Sequence, residues 1–284
     1  MLVATVVILG AGDIGGALAR QLAAADVVSH IVIVDDAASI AAGKALDIAQ
    51  AGPVERYSTQ LSGTNDVSAV VGAEMVVFAD RATQPPAEWQ DEAGLALLKR
   101  VAGLNQLAPF VCAGTSQTPL IERGVNELGV ARARLFGSAP EALRSAITAI
   151  TALAAGAAPD DVSLSVMGRP PHHVIVPWDE AAIAGRSATQ VLTAAQLARL
   201  DARIARLWPP GPNTLAGAAA RLIHTAITRA ARVHVAMVAL TQAEGTPGRA
   251  AVLPVALGRS GILRLVTPAL SSRDRVRLET TLRS

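Results

Sequence analysis

The segment Gly10-Ala11-Gly12-Asp13-Ile14-Gly15 has the spacing G-x-G-x-x-G, which allows a chain to wrap closely around a phosphate. It follows an apolar run, Val3 to Leu9, that predicts a strand, and it opens a helix predicted over 15–24. The first glycine permits a tight turn, the second lets the backbone approach a pyrophosphate, and the third allows close helix–strand packing. The helix N-terminus favours bound phosphate. The spacing therefore predicts a dinucleotide site, although the same glycines also suit a turn kept for packing alone.

Asp35 ends the next predicted strand and lies 20 residues after Gly15. A carboxylate at this spacing accepts hydrogen bonds from a ribose hydroxyl and repels a 2′-phosphate, so NAD is the expected cofactor rather than NADP. Asp36 adds to this preference, whereas Asp13 opposes phosphate binding because it is also negatively charged. The predicted cofactor-binding residues are Gly10, Gly12, Asp13, Ile14, Gly15, Asp35 and Ala79.

The composition excludes several classes of protein. The chain has 284 residues, 51% of them hydrophobic, and a net charge of +2, which excludes a disordered chain. Cys112 is the only cysteine, so a disulfide scaffold is excluded and a reducing, cytoplasmic location is expected. The apolar runs are too short to cross a bilayer, and no basic segment precedes the first one, so neither a membrane partner nor a signal peptide is predicted. The basic residues are scattered arginines, which argues against nucleic acid as a partner.

The predicted elements divide the chain into two parts. Up to about residue 138, apolar strands alternate with alanine-rich helices, which indicates a parallel sheet covered on both faces. Residues 139–284 mix alternating runs typical of antiparallel strands, one of them over 162–167, with longer helices. Among the predicted helices are those over 91–107 and 139–154 and a last one that starts at Ser272. The pattern predicts an α/β domain with a parallel sheet over 1–138, followed by an α+β domain over 139–284.

Several further motifs accompany the glycine loop. They are Ile33 to Asp35, Gly43 to Ile48, Gly63 to Asp66, Pro159 to Val162, Val166 to Gly168, Val252 to Val255 and Leu257 to Gly261. In these motifs the chain resembles the lactate/malate dehydrogenase family over nearly its whole length. The resemblance implies an α/β fold with an N-terminal Rossmann domain, a doubly wound parallel sheet, followed by an α+β substrate domain. It also implies an NAD-dependent oxidoreductase of malate or lactate type, a small 2-hydroxy or 2-oxo acid as substrate, a homo-dimer or homo-tetramer, and no metal.

The chemistry of that family needs a proton donor, usually a histidine held by a carboxylate, and arginines that grip and polarise the substrate. In this sequence the histidine position falls on Pro170, and the asparagine position falls on Ala113 or Gly114. The loop from Asp80 to Asp91 has Gln84 and Trp89-Gln90 where the family has arginines, and Arg81 reads as a surface residue. Pro212 stands where a small hydroxyl residue often contacts substrate.

One relocated catalytic set is conceivable: His172 as the acid, Glu141 as its orienting carboxylate and Arg144 as the anion grip. Glu141 and Arg144 have the i, i+3 spacing that places both on one helical face. The alternatives are that His172 and His173 are ordinary loop histidines, and that Glu141 forms a capping box with Ser138. Counting back from Pro159 instead places Arg144 and Ile147 at the family's acidic and basic positions.

Three functions therefore stay open. The first is a lactate/malate dehydrogenase-like NAD-binding protein whose usual catalytic set is largely replaced, with some activity retained through relocated residues. Alternatively the chain is a catalytically silent nucleotide-binding homologue or partner subunit, or an enzyme with new chemistry in which Cys112, His172 and Glu141 act. Cys112 also suits a core position. The helix predicted over 38–51 is apolar on more than one face, which favours an oligomer.

Overall fold

A computed structural model of the chain describes residues 4–83 and 87–283. Its strands are β1 (Thr5–Leu9), β2 (His30–Val34), β3 (Gln60–Thr64), β4 (Met75–Phe78), β5 (Phe110–Cys112), β6 (Leu135–Gly137), β7 (Val162–Ser163), β8 (Met167–Arg169), β9 (His173–Ile175), β10 (Ala182–Ile183), β11 (Arg186–Ser187), β12 (Val233–Ala239), β13 (Ala250–Gly258) and β14 (Gly261–Leu265). Its α-helices are α1 (Asp13–Ala25), α2 (Ala38–Glu55), α3 (Asp91–Leu104), α4 (Thr118–Asn126), α5 (Ala139–Ala155), α6 (Ala188–Val191), α7 (Ala194–Ile204), α8 (Pro212–Thr228) and α9 (Ser272–Arg283).

The main sheet has the strand order β3-β2-β1-β4-β5-β6-β12-β13-β8-β9, with β14 also paired to β13. The strands from β3 to β6 are parallel, whereas β12 joins β6 antiparallel and β13, β8, β9 and β14 continue that antiparallel part. The order 3-2-1-4-5-6 is that of a doubly wound Rossmann sheet, and it reverses between β1 and β4. The predicted fold class, a parallel Rossmann sheet followed by an α+β part, is confirmed.

Alternate residues of β1 face two different cores, because successive side chains of a strand point to opposite faces. Val7 and Leu9 pack into a core that includes residues of α3 and α4. Val6 and Ile8 pack into a second core with residues of α1, α2 and α8. Positions 6–9 of β1 are all apolar because both faces of the strand are covered by helices.

The observed elements that were not predicted include β3, α4, β6, β10, β11 and α6. Strand β3 consists of Gln60–Thr64, and its polar residues give no apolar run. Strand β6 has only three residues, too few to produce a periodic signal. The predicted strand over 162–167 is divided in the structure into β7 and β8, which belong to different sheets. Residue 3 of the predicted first strand lies outside the described residues.

Helix α3 ends at Leu104, three residues before its predicted end. The helix ends before Asn105 because the buried side chain of this residue is hydrogen-bonded to the neighbouring loops. Its Nδ2 donates to the carbonyl oxygens of Val70 and Ala73 at 2.7 and 2.9 Å, and its Oδ1 accepts from the backbone N–H of Ala108 at 2.9 Å.

None of the helices in the described part of the chain has the length and apolar character needed to span a membrane.

Candidate functional site

The glycine loop joins β1 to α1 at the carboxyl edge of the parallel sheet, next to the point where the strand order reverses. Gly10 has φ of +123°, a conformation that residues with a Cβ rarely adopt, so glycine is required there. A Cβ on Gly15 would lie 2.0 Å from the carbonyl oxygen of Gly10, so this glycine is required for close packing. The two glycines thus fulfil the turn and packing roles that the spacing predicted.

The N–H groups at the start of α1 are occupied by the side chain of Asp80, the second residue after β4. Ile14 N donates to Asp80 Oδ2 at 3.1 Å, and Gly15 N donates to Asp80 Oδ1 at 2.9 Å. Gly12 N donates to the backbone oxygen of Asp80 at 2.8 Å. The side chain of Asp80 is therefore the anion at this helix N-terminus, and Asp80 is only 6% exposed.

Asp35 lies at the end of β2 and is buried, with 2% of its surface exposed. Its Oδ2 accepts from the N–H groups of Ala11 and Ala82 at 2.8 and 3.0 Å, and its Oδ1 accepts from Ala37 N at 2.9 Å. A carboxylate has about four lone-pair positions, so three bonds leave room for about one more donor. Asp35 therefore fastens the glycine loop to two neighbouring loops, whatever else it binds.

A cavity of about 270 Å³ adjoins these residues and is lined by Ala11, Gly12, Asp13, Ile40, Lys44, Asp80, Arg81, Ala82 and Ala87. Lys44 Nζ donates to the carbonyl oxygen of Gly12 at 2.8 Å. Asp13, at the first position of α1, is exposed. The volume falls just below the range of about 300–1,000 Å³ typical of small-molecule sites.

The loop after β4 folds back onto the sheet edge. The guanidinium of Arg81 stacks over the ring of Trp89 at 4.9 Å, and Trp89 Nε1 donates to Leu9 O at 3.0 Å. Glu88 accepts from the N–H groups of Thr115 and Ser116 at 3.0 and 2.6 Å. Arg81, expected at the surface, is half-buried against an aromatic ring. Gln84, expected in place of an arginine, lies outside the described residues.

Gln117 organises the neighbouring loop, where the family's asparagine was expected at Ala113 or Gly114. Its Oε1 accepts from Gly114 N at 2.8 Å, and its Nε2 donates to the carbonyl oxygens of Ala79 and Trp89 at 3.3 and 3.2 Å. Gln117 is fully buried. Ala79, predicted to contact cofactor, lies fully buried with its carbonyl oxygen on Gln117.

A second cluster of charges lies where α5, α8 and β12 meet. Glu141 forms a two-pronged ion pair with Arg144, through Nη2 to Oε1 and through Nε to Oε2. Glu141 also accepts from His234 Nδ1 at 3.2 Å and from Val235 N at 3.1 Å. Glu141 is 2% exposed and His234 1%. The predicted pair Glu141 and Arg144 is thus brought together, but the two groups bind each other.

Burial alone raises the pKa of Glu141, but hydrogen bonds from His234 and Arg144 outweigh it and lower the pKa to about 2. Since an ionised carboxylate only accepts hydrogen bonds, Nδ1 of His234 carries the proton between them. The other ring nitrogen, Nε2, lies 2.8 Å from Thr225 Oγ1. The order Thr225–His234–Glu141 is that of a catalytic triad, but Thr225 is 1% exposed, so this hydroxyl is enclosed.

His172, in the turn between β8 and β9, and His173, the first residue of β9, are both exposed. Among the described residues, the hydrogen-bond donors to Glu141 are Arg144, His234 and Val235, and His172 is not one of them. The capping box is also wrong, because the Ser138 side chain makes no cap hydrogen bond and the Glu141 carboxylate points to α8 and β12. Ile147 is fully buried in the core.

These sites depend on three residues whose roles were not predicted from the sequence: Asp80, Gln117 and His234. Asp80 stands directly after an apolar strand, at the sheet edge where ligands bind in this class of fold, which is a signal that could have identified it. His234 gave a weaker signal, a single histidine inside an apolar strand. Its partners lie 93 and 9 residues away in the chain, so only the fold reveals them. Within the described residues no cluster of potential metal ligands occurs.

Together the strand order, the glycine loop and the helix that follows it define a dinucleotide-binding fold of the Rossmann class. Residues 4–93 match the profile of the lactate/malate dehydrogenase NAD binding domain. A malate dehydrogenase of Thermomicrobium roseum is 26% identical over 95% of this chain and 92% of its own length. A malate dehydrogenase of Thioalkalivibrio sulfidiphilus is 30% identical over 57% of this chain and 55% of its own length. These matches support the assignment of the chain to the lactate/malate dehydrogenase family.

Solved structures show the same fold over nearly the whole chain. The malate dehydrogenase from Aeropyrum pernix has a TM-score of 0.84 at 16% identity, covering 98% of this chain and 95% of that one. The lactate dehydrogenase from Cryptosporidium parvum, solved with lactic acid and nicotinamide adenine dinucleotide, has a TM-score of 0.85 at 18% identity, covering 99% and 95%.

The residues of this chain can be tested against NAD, the cofactor that the family implies. Gly10 and Gly15 provide the expected turn, and Asp35 lies at the end of β2 as a ribose-binding carboxylate would. The pyrophosphate does not fit while Asp80 holds the N–H groups of Ile14 and Gly15, since both anions need the same donors. The N-terminal part is therefore an NAD-binding domain by family and fold whose phosphate position holds a carboxylate of the chain.

Proposed function

We propose that this chain is a nucleotide-binding member of the lactate/malate dehydrogenase family that does not interconvert 2-hydroxy and 2-oxo acids. The observation that carries the proposal is the closed ion pair of Glu141 and Arg144. An arginine whose Nε and Nη2 are both bound to a buried carboxylate cannot turn that edge toward a substrate carboxylate, and its charge is already paired inside the protein. Glu141 in turn orients the enclosed His234 rather than an exposed histidine.

The loss of the proton donor supports the same proposal. Pro170 stands at the family's histidine position, and proline has no group that transfers a proton. General acid catalysis contributes roughly 10²–10⁴-fold to such reactions, and the arginine grip adds the orientation of the substrate. A site without either group loses the transition-state stabilisation that the reaction needs.

An enzyme with new chemistry centred on Cys112 is less well supported than a protein without catalytic activity. Cys112 is fully buried at the end of β5, and burial raises the pKa of its thiol. A thiol that stays protonated is a poor nucleophile. Its burial fits the reducing, cytoplasmic location that we propose for the chain, with residues 139–284 as a second domain beside the NAD-binding one.

The proposal is tested by measuring NADH oxidation with oxaloacetate, pyruvate and a panel of longer 2-oxo acids, with the Thermomicrobium roseum malate dehydrogenase as positive control. We expect kcat/KM below about 1 M⁻¹s⁻¹, against about 10⁴–10⁸ M⁻¹s⁻¹ for enzymes in general. Turnover that His172→Ala abolishes would instead assign the proton to His172 and the reaction to a relocated set.

We also propose that the chain forms a homo-dimer or homo-tetramer through α2. Leu46 and Val54 of this helix are 59% and 83% exposed, which leaves apolar surface uncovered on one chain. Light scattering at micromolar concentration is expected to give at least twice the mass of one chain, and Leu46→Glu is expected to lower it. A mass of one chain for the unaltered protein would reject the oligomer.

A further inference from the structure

We propose that Asp80 is an internal competitor for the pyrophosphate position, so that NAD binds only when the Asp80 carboxylate is displaced. The proposal rests on the NAD-binding function proposed above and adds a residue that determines which ligands the glycine loop accepts. It concerns the phosphates alone, because Asp80 bonds to the donors that a phosphate would use.

The first argument is the identity of the donors. A pyrophosphate in this fold lies on the backbone N–H groups where the glycine loop enters its helix. In this chain the two oxygens of Asp80 accept from Ile14 N and Gly15 N, at 3.1 and 2.9 Å. An N–H group well aligned with a carboxylate oxygen at these distances is not available to a second anion.

The second argument is the space beside Gly12. A glycine at this position leaves room for a pyrophosphate to approach the backbone. A Cβ built on Gly12 would lie 2.4 Å from both the carboxyl carbon and Oδ2 of Asp80. The room that the glycine leaves is therefore filled by the Asp80 carboxyl group.

The third argument is charge. Asp80 is 6% exposed, so water screens it weakly, and a pyrophosphate next to it would add like charge in the same place. Two cations line this cavity: Arg81, which stacks on Trp89, and Lys44, whose Nζ donates to Gly12 O at 2.8 Å. If the carboxylate leaves, Lys44 and the freed N–H groups become available to phosphate together.

The backbone of Asp80 is held independently of its side chain. Gly12 N donates to Asp80 O at 2.8 Å, and Asp80 forms an isolated bridge with Glu88. A substitution that removes the carboxylate therefore frees the N–H groups of Ile14 and Gly15, while the backbone contacts still hold the glycine loop against residue 80. This separation makes Asp80 suitable for a clean test.

The experiment measures by calorimetry the binding of NADH, ADP and adenosine to the full chain, to Asp80→Ala and to Asp80→Asn. We expect the Kd of Asp80→Ala for NADH and ADP to fall at least tenfold, and that for adenosine, which has no phosphate, to change less than twofold. Asp80→Asn keeps an acceptor without the charge, so its gain is expected to be smaller. Asp47→Asn, which removes an exposed charge of α2, is the matched control and is expected to change each Kd less than twofold.

Amide hydrogen exchange provides a second readout that does not depend on affinity. Without ligand, the amides of Ile14 and Gly15 are expected to exchange faster in Asp80→Ala than in the unaltered chain. Addition of ADP is expected to restore their protection in the variant. Asp80→Asn serves if Asp80→Ala does not fold.

The contrary outcomes differ in what they overturn. If the unaltered chain binds NADH as tightly as both Asp80 variants, Asp80 is no competitor, but NAD binding stands. If neither the unaltered chain nor either Asp80 variant binds NADH or ADP, the competitor proposal fails and NAD binding fails with it. An equal gain for adenosine would also overturn the proposal, because the effect would not concern the phosphates.

Discussion

Asp80 and Glu141 are both carboxylates withdrawn from solvent. Asp80 lies at the helix start where this class of fold binds phosphate, and Glu141 is the acid of the relocated catalytic set considered from the sequence. Asp80 bonds to backbone N–H groups of a helix start, and these remain in place when the side chain is removed. Glu141 pairs with the charge of Arg144 in the interior and accepts a hydrogen bond from the buried His234. Asp80 is therefore an anion that another anion could replace, whereas Glu141 is part of the buried core.

The two carboxylates therefore differ in what their removal leaves behind. Without Asp80, the exposed donors are able to bind water or a phosphate, since the loop lies next to a cavity. Without Glu141, Arg144 keeps its charge while it is only 15% exposed. Breaking a buried pair by removing one partner is costly, whereas loss of a helix-capping anion costs little.

The largest expected effect is that of Glu141→Ala on stability. We expect the free energy of unfolding to fall by about 3–5 kcal/mol, because Arg144 and His234 lose their buried acceptor. Urea unfolding measures it. Arg221→Ala is the matched control: Arg221 is 51% exposed and lies 3.6 Å from Glu141, so its loss is expected to cost below about 1 kcal/mol. A cost of Glu141→Ala as small as that of Arg221→Ala would show that the cluster is not a structural unit.

The second expected effect is acid sensitivity. The pKa of Glu141 is lowered from 4.5 to about 2 in the folded protein, so its contribution is present above about pH 4.5 and is lost as the pH falls toward 2. The full loss is on the order of 3 kcal/mol, of which about 2 kcal/mol falls between pH 6 and pH 3. Unfolding free energies at pH 6 and pH 3 measure it, and Glu141→Gln, which cannot ionise, should reduce the difference. An unchanged difference in that variant would assign the acid sensitivity to other carboxylates such as Glu244.

The smallest expected effect is that of Asp80→Ala on stability without ligand. We expect a loss of about 1 kcal/mol, the usual cost of removing a side chain that caps a helix start. Thermal and urea unfolding measure it, with Asp47→Ala, an exposed change on α2, expected within about 0.5 kcal/mol of the unaltered chain. If Asp80→Ala costs as much as Glu141→Ala, the distinction between a replaceable anion and a core group is wrong.

Much of the fold could be predicted because its signals are local. The apolar run of β1, the glycine spacing and the alanine-rich α1 lie within about 25 consecutive residues, and each specifies its element by periodicity or backbone demand. The predicted start of α5 at Ala139 and that of α9 at Ser272 agree with the structure. Strands β3 and β6 could not be predicted, because one is polar and the other too short for a pattern.

The candidate sites were predictable only in part. The i, i+3 spacing correctly paired Glu141 with Arg144, since a helix places such residues side by side. The spacing does not indicate which other residue bonds to the Glu141 carboxylate. His172 was predicted as that partner from the order of motifs in the family. His234 occupies that position instead, because β12 pairs with β6 and thus lies beside the start of α5.

The sequence by itself determined the fold class, the position of the glycine loop and the absence of a histidine at Pro170, because these follow from residue identity and local spacing. Only the tertiary structure decided which groups occupy the loop and the Glu141 carboxylate. Asp80 meets Ile14 and Gly15 across 66 and 65 residues, and Glu141 meets His234 across 93. Contacts at such separations depend on the order of strands in the sheet, and that order is fixed by packing of the whole core rather than by any one segment.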